Sequence, residues 1–474
     1  MPSSDIHLET QYVTGMEKRL RDRLNKIMTA VYSHSCDPSI SNITNAKSER
    51  DAIYSFWSNK NVSANDILRS HARMTEERSQ SHDVVLFAQD TTEITLQRSI
   101  VKNGSTHSKS TFGFFIHPLL AITPDGTPLG CLAHKIWVRD ENRPVGAERD
   151  NMLRHTPFEE KESYRWYEAY REMGEFAKRH PNVTSICLAD SEADIYEFYA
   201  KRRPSRNAHF IIRARHDRFH VDKNNGAITR LRKKLDLSRL RGTIEITARE
   251  RSPNTKSTGK RHEPRDKRRF KAEVRACSLH IQRPDRNQSP RNFVSLKAVL
   301  VKEINPPKGE RPIEWILLTT LPIKTNEDVM RIVKYYKMRW QIEIFFRTLK
   351  GGCAIEKRRF RSFKSIETCA SLLMIIAWHI MTVTYMARKH PEESCEVYFE
   401  PDEWKGVYFY VDETIDFPKD PPTMGEFIVK LAMLSGYSPQ SKYPPGVRTI
   451  WRSIFVLAFT TAYWKKVSRI FGRH

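Results

Sequence analysis

The chain has 474 residues, more than one hydrophobic core of ordinary size encloses, so two to four units of about 100–200 residues each are expected. Hydrophobic residues make up 39% and aromatic residues 10%, which excludes a disordered polymer. Lys+Arg 80 against Asp+Glu 56 leaves a net charge of +24, a surplus that points to nucleic acid or an acidic membrane surface.

Residues 1–75 read as a small, basic helical module. GMEKRLRDRLNKIMTAVY is followed by a second helical unit that breaks at Asn59–Asn61 and restarts after Ser63, which is placed to N-cap it. From residue 84 the period changes: VVLFAQ is a continuous apolar run ending at Asp90, the pattern of a strand buried on both faces. FGFFIHPLLAI and PLGCLAHKIWV flank Pro124-Asp125-Gly126-Thr127, which predicts a hairpin. An amphipathic helix is expected near 159–178. A short strand, SICLA, then ends at Asp190, and a helix at 191–202 leads to the strand HFIIRAR. Strands alternating with helices predict a mixed α/β sheet.

Between 220 and 325, TIEIT, KAEVRACSLHI and FVSLKAVLVKEI alternate like strands with one exposed face. Residues 251–271 carry nine Lys/Arg against two acids, a basic arm too charged for a core. Beyond 325 the chain reads as helical, except for 391–423, whose proline and acid content predicts a surface excursion. ASLLMIIAWHIMTVTYMA (370–387) just reaches the ~18 residues that span a membrane. His379 and three hydroxyl residues interrupt it, so a buried helix of a soluble bundle is expected. Seven scattered cysteines without a CxxC pair argue against a disulfide framework and a zinc site. With no secretory signal at the N-terminus, the expected location is cytoplasmic and the expected partner nucleic acid, not membrane.

The chemistry is carried by YKMRWQIEIFFRTLK (336–350). On a uniform helix advancing about 100° per residue, with Tyr336 at 0°, Arg339 falls near ~300°, Glu343 near ~340° and Lys350 near ~320°. Ile342, Phe345, Phe346 and Leu349 form the apolar face, leaving one carboxylate among a phenol and two cations. The ordinary reading is a solvated face with i,i+4 ion pairs. Asp90 and Asp190, each ending an apolar strand, shift the balance, because ligands collect at the C-terminal ends of α/β strands. Three converging carboxylates repel one another, and Mg²⁺ resolves this by taking hard oxygen ligands. Two such ions support in-line phosphoryl displacement, with Arg339, Lys350 and Tyr336 gripping the phosphate.

The helix reads Y-x2-R-x3-E-x6-K. Asp90 lies in AQDTTEITL, Asp190 in LADSEADIY, and EKESYRW, EINPPKGE, EWILLTT and FWSNKNVSA stand nearby. In these segments, from about residue 45 to 360, the chain resembles the bacterial DDE transposases of the transposon-five (Tn-five, IS-four) type. The resemblance implies an RNase H-like core over 76–369 with a β-rich insertion at about 220–325. An N-terminal helical domain (1–75) would bind DNA ends, and a C-terminal helical domain (370–474) would dimerise. It further implies catalytic and metal-ligating roles for Asp90, Asp190 and Glu343, two Mg²⁺ ions (or Mn²⁺), double-stranded DNA as substrate and target, and a synaptic homodimer at the bacterial nucleoid. Trp315 matches a tryptophan that stacks on a base flipped from a hairpin, and Arg213 a DNA-contacting arginine. Tyr196 stands where the family carries His, and the first 45 residues diverge. The implied activity is cut-and-paste transposition through a DNA hairpin. An RNase H-like endonuclease without strand transfer and an inactive DNA-binding inhibitor are the alternatives.

Overall fold

A computed structural model describes residues 3–34, 37–44, 46–96, 113–139, 144, 146–203, 205–248, 267–285, 287, 289–359 and 362–471. The chain forms two compact units: Met1–Asn151 with Lys178–Val183 and Trp340–His474, and Met152–Ala177 with Thr184–Arg339.

The first unit contains β1 (Val84–Gln89), β2 (Thr92–Thr95), β3 (Gly113–Ile122) and β4 (Pro128–Trp137). β1 and β2 pair with β3 in succession, Gln89 opposite Leu119 and Thr92 opposite Ile116. The two are separated only by Asp90 and Thr91. The apolar run of β1 is buried from Val85 to Gln89, as its pattern predicts. β3 and β4 form the expected hairpin, with Gly126 at φ 100° in the connection, a value for which a side chain carries a steric cost. The Ala64–Ser79 helix crosses β4, and Ser63 Oγ accepts the Asp66 amide at 3.2 Å, the expected cap. A Cβ at Gly130 would meet Thr75 Oγ1 at 2.0 Å, so only glycine permits that approach. The N-terminal 3₁₀ segment Ser3–Thr10 is pinned to the same helix: Glu9, fully buried, pairs with Arg78 at 2.7 Å and with His71 Nδ1 at 2.6 Å. His71 Nε2 accepts the Cys131 amide, so the ring proton sits on Nδ1. Burial lowers His71 further and keeps it neutral.

The Phe363–Lys389 helix is long and apolar enough to cross a membrane, but 94% of its apolar 18-residue stretch is buried inside the protein, as expected for the core helix of a bundle. Segment 391–423 differs from its reading as a surface excursion. It contains the Pro401–Asp412 helix, with Trp404 and Val407 buried, packed on the Val447–Phe471 helix. Phe399 packs edge-on against Phe427 at 4.6 Å. Pro401 sits at the first helical position, and Glu400 and Glu403 close a capping box, so the residues that look like loop chemistry start a helix.

The second unit runs β5 (Thr184–Ala189), β6 (Ala208–Arg213), β7 (Phe219–Val221), β8 (Ile228–Arg230), β9 (Leu240–Ala248), β10 (Arg268–Gln282), β11 (Phe293–Glu303) and β12 (Glu314–Thr319). β5 and β6 are parallel, and the order continues β6–β12–β11–β10 with antiparallel pairing. β9 and β7 both pair with β10. The strands expected between 220 and 325 therefore form, and they are continuous with β6 through β12. The part of the basic arm at 249–266 lies outside the described residues. The helix expected from 159 begins at Arg165, after two short 3₁₀ turns.

The uniform helix assumed for 336–350 is not what forms. Asn326–Lys337 is α-helical, Met338–Trp340 is a 3₁₀ turn, Gln341–Arg347 is α-helical, and Thr348–Gly352 is a π-turn. The border between the two units falls at Arg339/Trp340, inside the 3₁₀ turn. A 3₁₀ turn winds about three residues per turn and a π-turn winds more loosely, so the projection at constant angle does not hold. Of its apolar face, Ile342, Phe345 and Leu349 are buried and Phe346 is half-buried.

Candidate active site and nucleic-acid interface

In the first unit Asp90 occupies the break between β1 and β2. It is half-buried, and its Oδ1 accepts the Thr91 amide at 2.8 Å. His117, buried on β3 opposite the break, spans both flanks. Its Nε2 lies 2.9 Å from Gln89 Oε1 and its Nδ1 lies 2.9 Å from Thr91 Oγ1. An amide oxygen only accepts, so Nε2 carries the proton and Nδ1 takes the Thr91 hydroxyl. His117 thus fixes the residues on either side of Asp90. Its signal in the sequence was a single histidine within the apolar run GFFIHPLLAI.

Glu343 is half-buried on the Gln341–Arg347 helix, which lies against β1 with Ile342 and Phe345 fully buried. Lys350 lies 3.6 Å from Glu356 Oε1, and the same oxygen accepts the Thr95 amide at 3.2 Å. The lysine expected to grip phosphate is therefore tied through Glu356 to the end of β2. Sequence reasoning gave Glu356 no role.

In the second unit Asp190 ends β5 and caps the turn Ser191–Ala193, its Oδ1 accepting the Glu192 amide at 2.8 Å. Arg165, buried, reaches Glu192 Oε2 at 3.3 Å and the Glu162 carbonyl at 2.9 Å. That contact joins the EKESYRW segment to the loop that begins with Asp190. Asp194, four residues on, is a different kind of group. Its fully buried carboxylate accepts Arg218 Nη2 at 2.7 Å, the Arg215 and His216 amides at 2.8 and 3.0 Å, and the Tyr199 hydroxyl at 3.0 Å. It anchors the segment that follows β6. Tyr196, the departure from the family's His, is buried and donates its hydroxyl to the Arg291 carbonyl at 2.8 Å.

Tyr336 gathers the remaining expected residues of this unit. It is buried at 8% exposure, its ring 6.4 Å from Trp315 at 60°. Burial pushes its phenol up to about 12. Arg339 and Arg213 work against that rise and Asp190 adds to it, so all three charges lie within reach of one hydroxyl. The phenol stays protonated at neutral pH and can donate a hydrogen bond. Arg213 is exposed at the end of β6 and donates to the Glu314 carbonyl at 3.4 Å. Asp190, Arg213, Trp315, Tyr336 and Arg339 thus fall in one unit, and Asp90, Glu343 and Lys350 in the other. Among the described residues no group of three or more His, Cys, Asp and Glu side chains stands ready as a metal site. The donors of Asp90, Asp190 and Glu343 are all carboxylate oxygens, the type that suits a hard divalent cation.

Two family models match the chain: the Transposase DDE domain over residues 169–378 and the Transposase Tn5 dimerisation domain over residues 375–468. The first takes in β5 to β12 with Asp190, and Glu343; the second takes in most of the C-terminal helices. Between them they run from residue 169 to 468, and the chain belongs to the DDE transposases of the Tn5/IS4 type.

Proposed function

We propose that this DNA transposase moves its element by cut-and-paste, nicking one strand at each transposon end and passing through a DNA hairpin. Asp90, Asp190 and Glu343 would hold its divalent metal, two Mg²⁺ ions with Mn²⁺ able to replace them. When bound, the metal would supply Lewis-acid activation of the attacking oxygen and charge stabilisation of the leaving one. The chain's own residues supply the rest. Arg213 and Arg339 hold a backbone phosphate, and Tyr336 donates its retained proton beside them. Lys350 supplies a further DNA-facing cation and is itself positioned by Glu356. His117 and Thr91 keep Asp90 at its strand end.

The observation that carries this reading is the buried Tyr336 phenol, with Trp315 against its ring and Asp190, Arg213 and Arg339 within its electrostatic reach. Hydrolysis needs a carboxylate and cations. A large aromatic beside them adds a surface for an unstacked base, which a hairpin intermediate requires. We assign residues 1–75 to end recognition, 76–369 to catalysis and 370–474 to a homodimer that pairs two ends. Replacing Trp315 by Ala is expected to leave first-strand nicking intact while cutting hairpin yield on a labelled end duplex by roughly 5–150-fold, the equivalent of ~1–3 kcal/mol of base stacking. Unchanged hairpin yield removes Trp315 from the site and favours an endonuclease without strand transfer.

A further inference from the structure

The second unit has a cleft at the other end of β6 from Arg213. It has a volume of about 470 Å³ and forms where the start of β6, the end of β12, the start of β11 and the end of β10 meet the segment after the Tyr196–Lys201 helix. β6 spans Ala208–Arg213, so at ~3.3 Å per residue its two ends lie about 17 Å apart. The cleft is therefore separate from the Arg213–Tyr336–Arg339 cluster.

Its chemistry follows from strand register. Ser278 pairs with Lys297 and His280 with Ser295, so these four side chains share one face of β10 and β11, while Leu279 and Leu296 are buried on the other. Lys297 Nζ donates to Ser278 Oγ at 2.6 Å, and His280 Nδ1 lies 2.9 Å from Ser295 Oγ. Arg202 closes the cleft from the side. Its Nη2 donates to the Ser295 carbonyl at 3.0 Å, whereas its Nε is shielded from solvent and has no hydrogen-bond partner. Among the described residues no carboxylate lines the cleft, and none forms an ion pair with Arg202 or Lys297. Beyond the lining, Arg291 stands near enough to Arg202 to disfavour its charge, after burial itself, and Lys223 and Lys297 do the same to His280. The acidic neighbour Asp222 lies 4.0 Å from Lys234.

A surplus of donors without a counter-charge is the mirror image of a phosphate, which presents only acceptors. Arg202 spends one of its five N–H donors on a carbonyl, which leaves the outer nitrogens able to take a second acceptor. We propose that this cleft binds a phosphate group through Arg202 and Lys297, and that the phosphate belongs to the backbone of bound DNA. The DNA source rests on the transposase reading; the phosphate chemistry does not. β6 is an interior strand buried from Ala208 to Ile212, but a duplex reaching past the sheet edge from the Arg213 end to the cleft covers about five base-pair steps at ~3.4 Å each. The cleft is then a second, sequence-independent hold on the same duplex, and sets its direction relative to the sheet.

The test is binding of the full-length protein to a fluorescent 30-base-pair duplex across a salt series, comparing wild type, Lys297→Gln and Arg202→Gln/Lys297→Gln. Each lost phosphate contact lowers the slope of log affinity against log salt by about 0.9 and costs roughly three- to tenfold in affinity at 0.1 M salt. The double variant is therefore expected to lose one to two slope units, and the single variant about half as much. Thermal melting with and without inorganic phosphate supplies the second arm. A phosphate-induced rise in melting temperature that is lost in the variants, with DNA binding unchanged, assigns the cleft to free phosphate and overturns the DNA source. No change in either arm overturns the site. Lys297→Gln keeps the result readable if the double variant folds poorly, because Lys297 is a half-buried residue on an open strand face. The salt slope needs no catalysis, so a wild-type protein that binds DNA but nicks none sinks the transposase reading and leaves this measurement standing.

Discussion

Two aspartates four residues apart, Asp190 and Asp194, show how much a side chain's surroundings decide. Asp190 is half-buried at a strand end, with one backbone amide on its Oδ1. Asp194 is fully buried and receives an arginine, two amides and a phenol. The first can turn toward a ligand; the second is committed to the fold. Removing it leaves Arg218, 9% exposed, without its charge partner, and such a loss costs about 3–5 kcal/mol. Asp194→Ala is therefore expected to lower unfolding free energy by that amount in a denaturant titration, against less than ~1 kcal/mol for Asp190→Ala. Equal losses would contradict the assignment of one to structure and the other to chemistry. The sequence LADSEADIY does not separate them, because both are acidic residues in one loop, and their difference lies in what β6 and its following segment bring to Asp194. Asp90 was legible for a simpler reason: an unbroken apolar run that stops at a carboxylate marks the point where a buried strand leaves the core. His117, Arg165 and Glu356 were not, since each acts on a partner distant in sequence.

Elements governed by local chemistry were legible. The hairpin β3–β4 follows from Asp125-Gly126, and the Ala64–Ser79 helix starts where Ser63 caps it. Elements governed by packing were not. The 336–350 segment has the periodicity of one α-helix, yet it tightens at Met338–Trp340 and loosens at Thr348–Gly352. The loosened turn runs under Trp451 of the last helix. A Cβ on Gly352 would meet that indole at 2.9 Å, and one on Gly351 at 3.1 Å. The indole is rigid and buried, so it cannot yield as a flexible chain end does. Gly352→Ala is expected to destabilise by about 1–3 kcal/mol, read as a lower melting temperature, and to disturb the Lys350–Glu356 pair nearby in the chain. A melting temperature equal to wild type would show that the π-turn does not depend on this contact. The Pro401–Asp412 helix was missed for the opposite reason. Its proline and acids suggest a loop by composition, whereas their order, Glu-Pro-x-Glu, is an N-terminal cap.

At the scale of the molecule the chain is a metal-dependent DNA transposase, with a dimerisation region in its C-terminal helices. Its charge of +24 makes DNA affinity a matter of many cations, while cleavage is proposed to depend on a few carboxylates. These two properties are therefore separable by mutation. The residues proposed for chemistry are divided between the two compact units, Asp190 with its tyrosine and arginines in one, Asp90 with Glu343 in the other. Sequence spacing alone could not reveal that division, because the border runs through the Y-x2-R-x3-E motif itself. The direct measurement is strand nicking of an end duplex in Mg²⁺ by Glu343→Ala, paired with binding of the same duplex. The account predicts wild-type binding within about threefold and nicking reduced at least ~10³-fold. Nicking at the wild-type rate by that variant would contradict Glu343 as a metal-holding carboxylate, and with it the proposed mechanism.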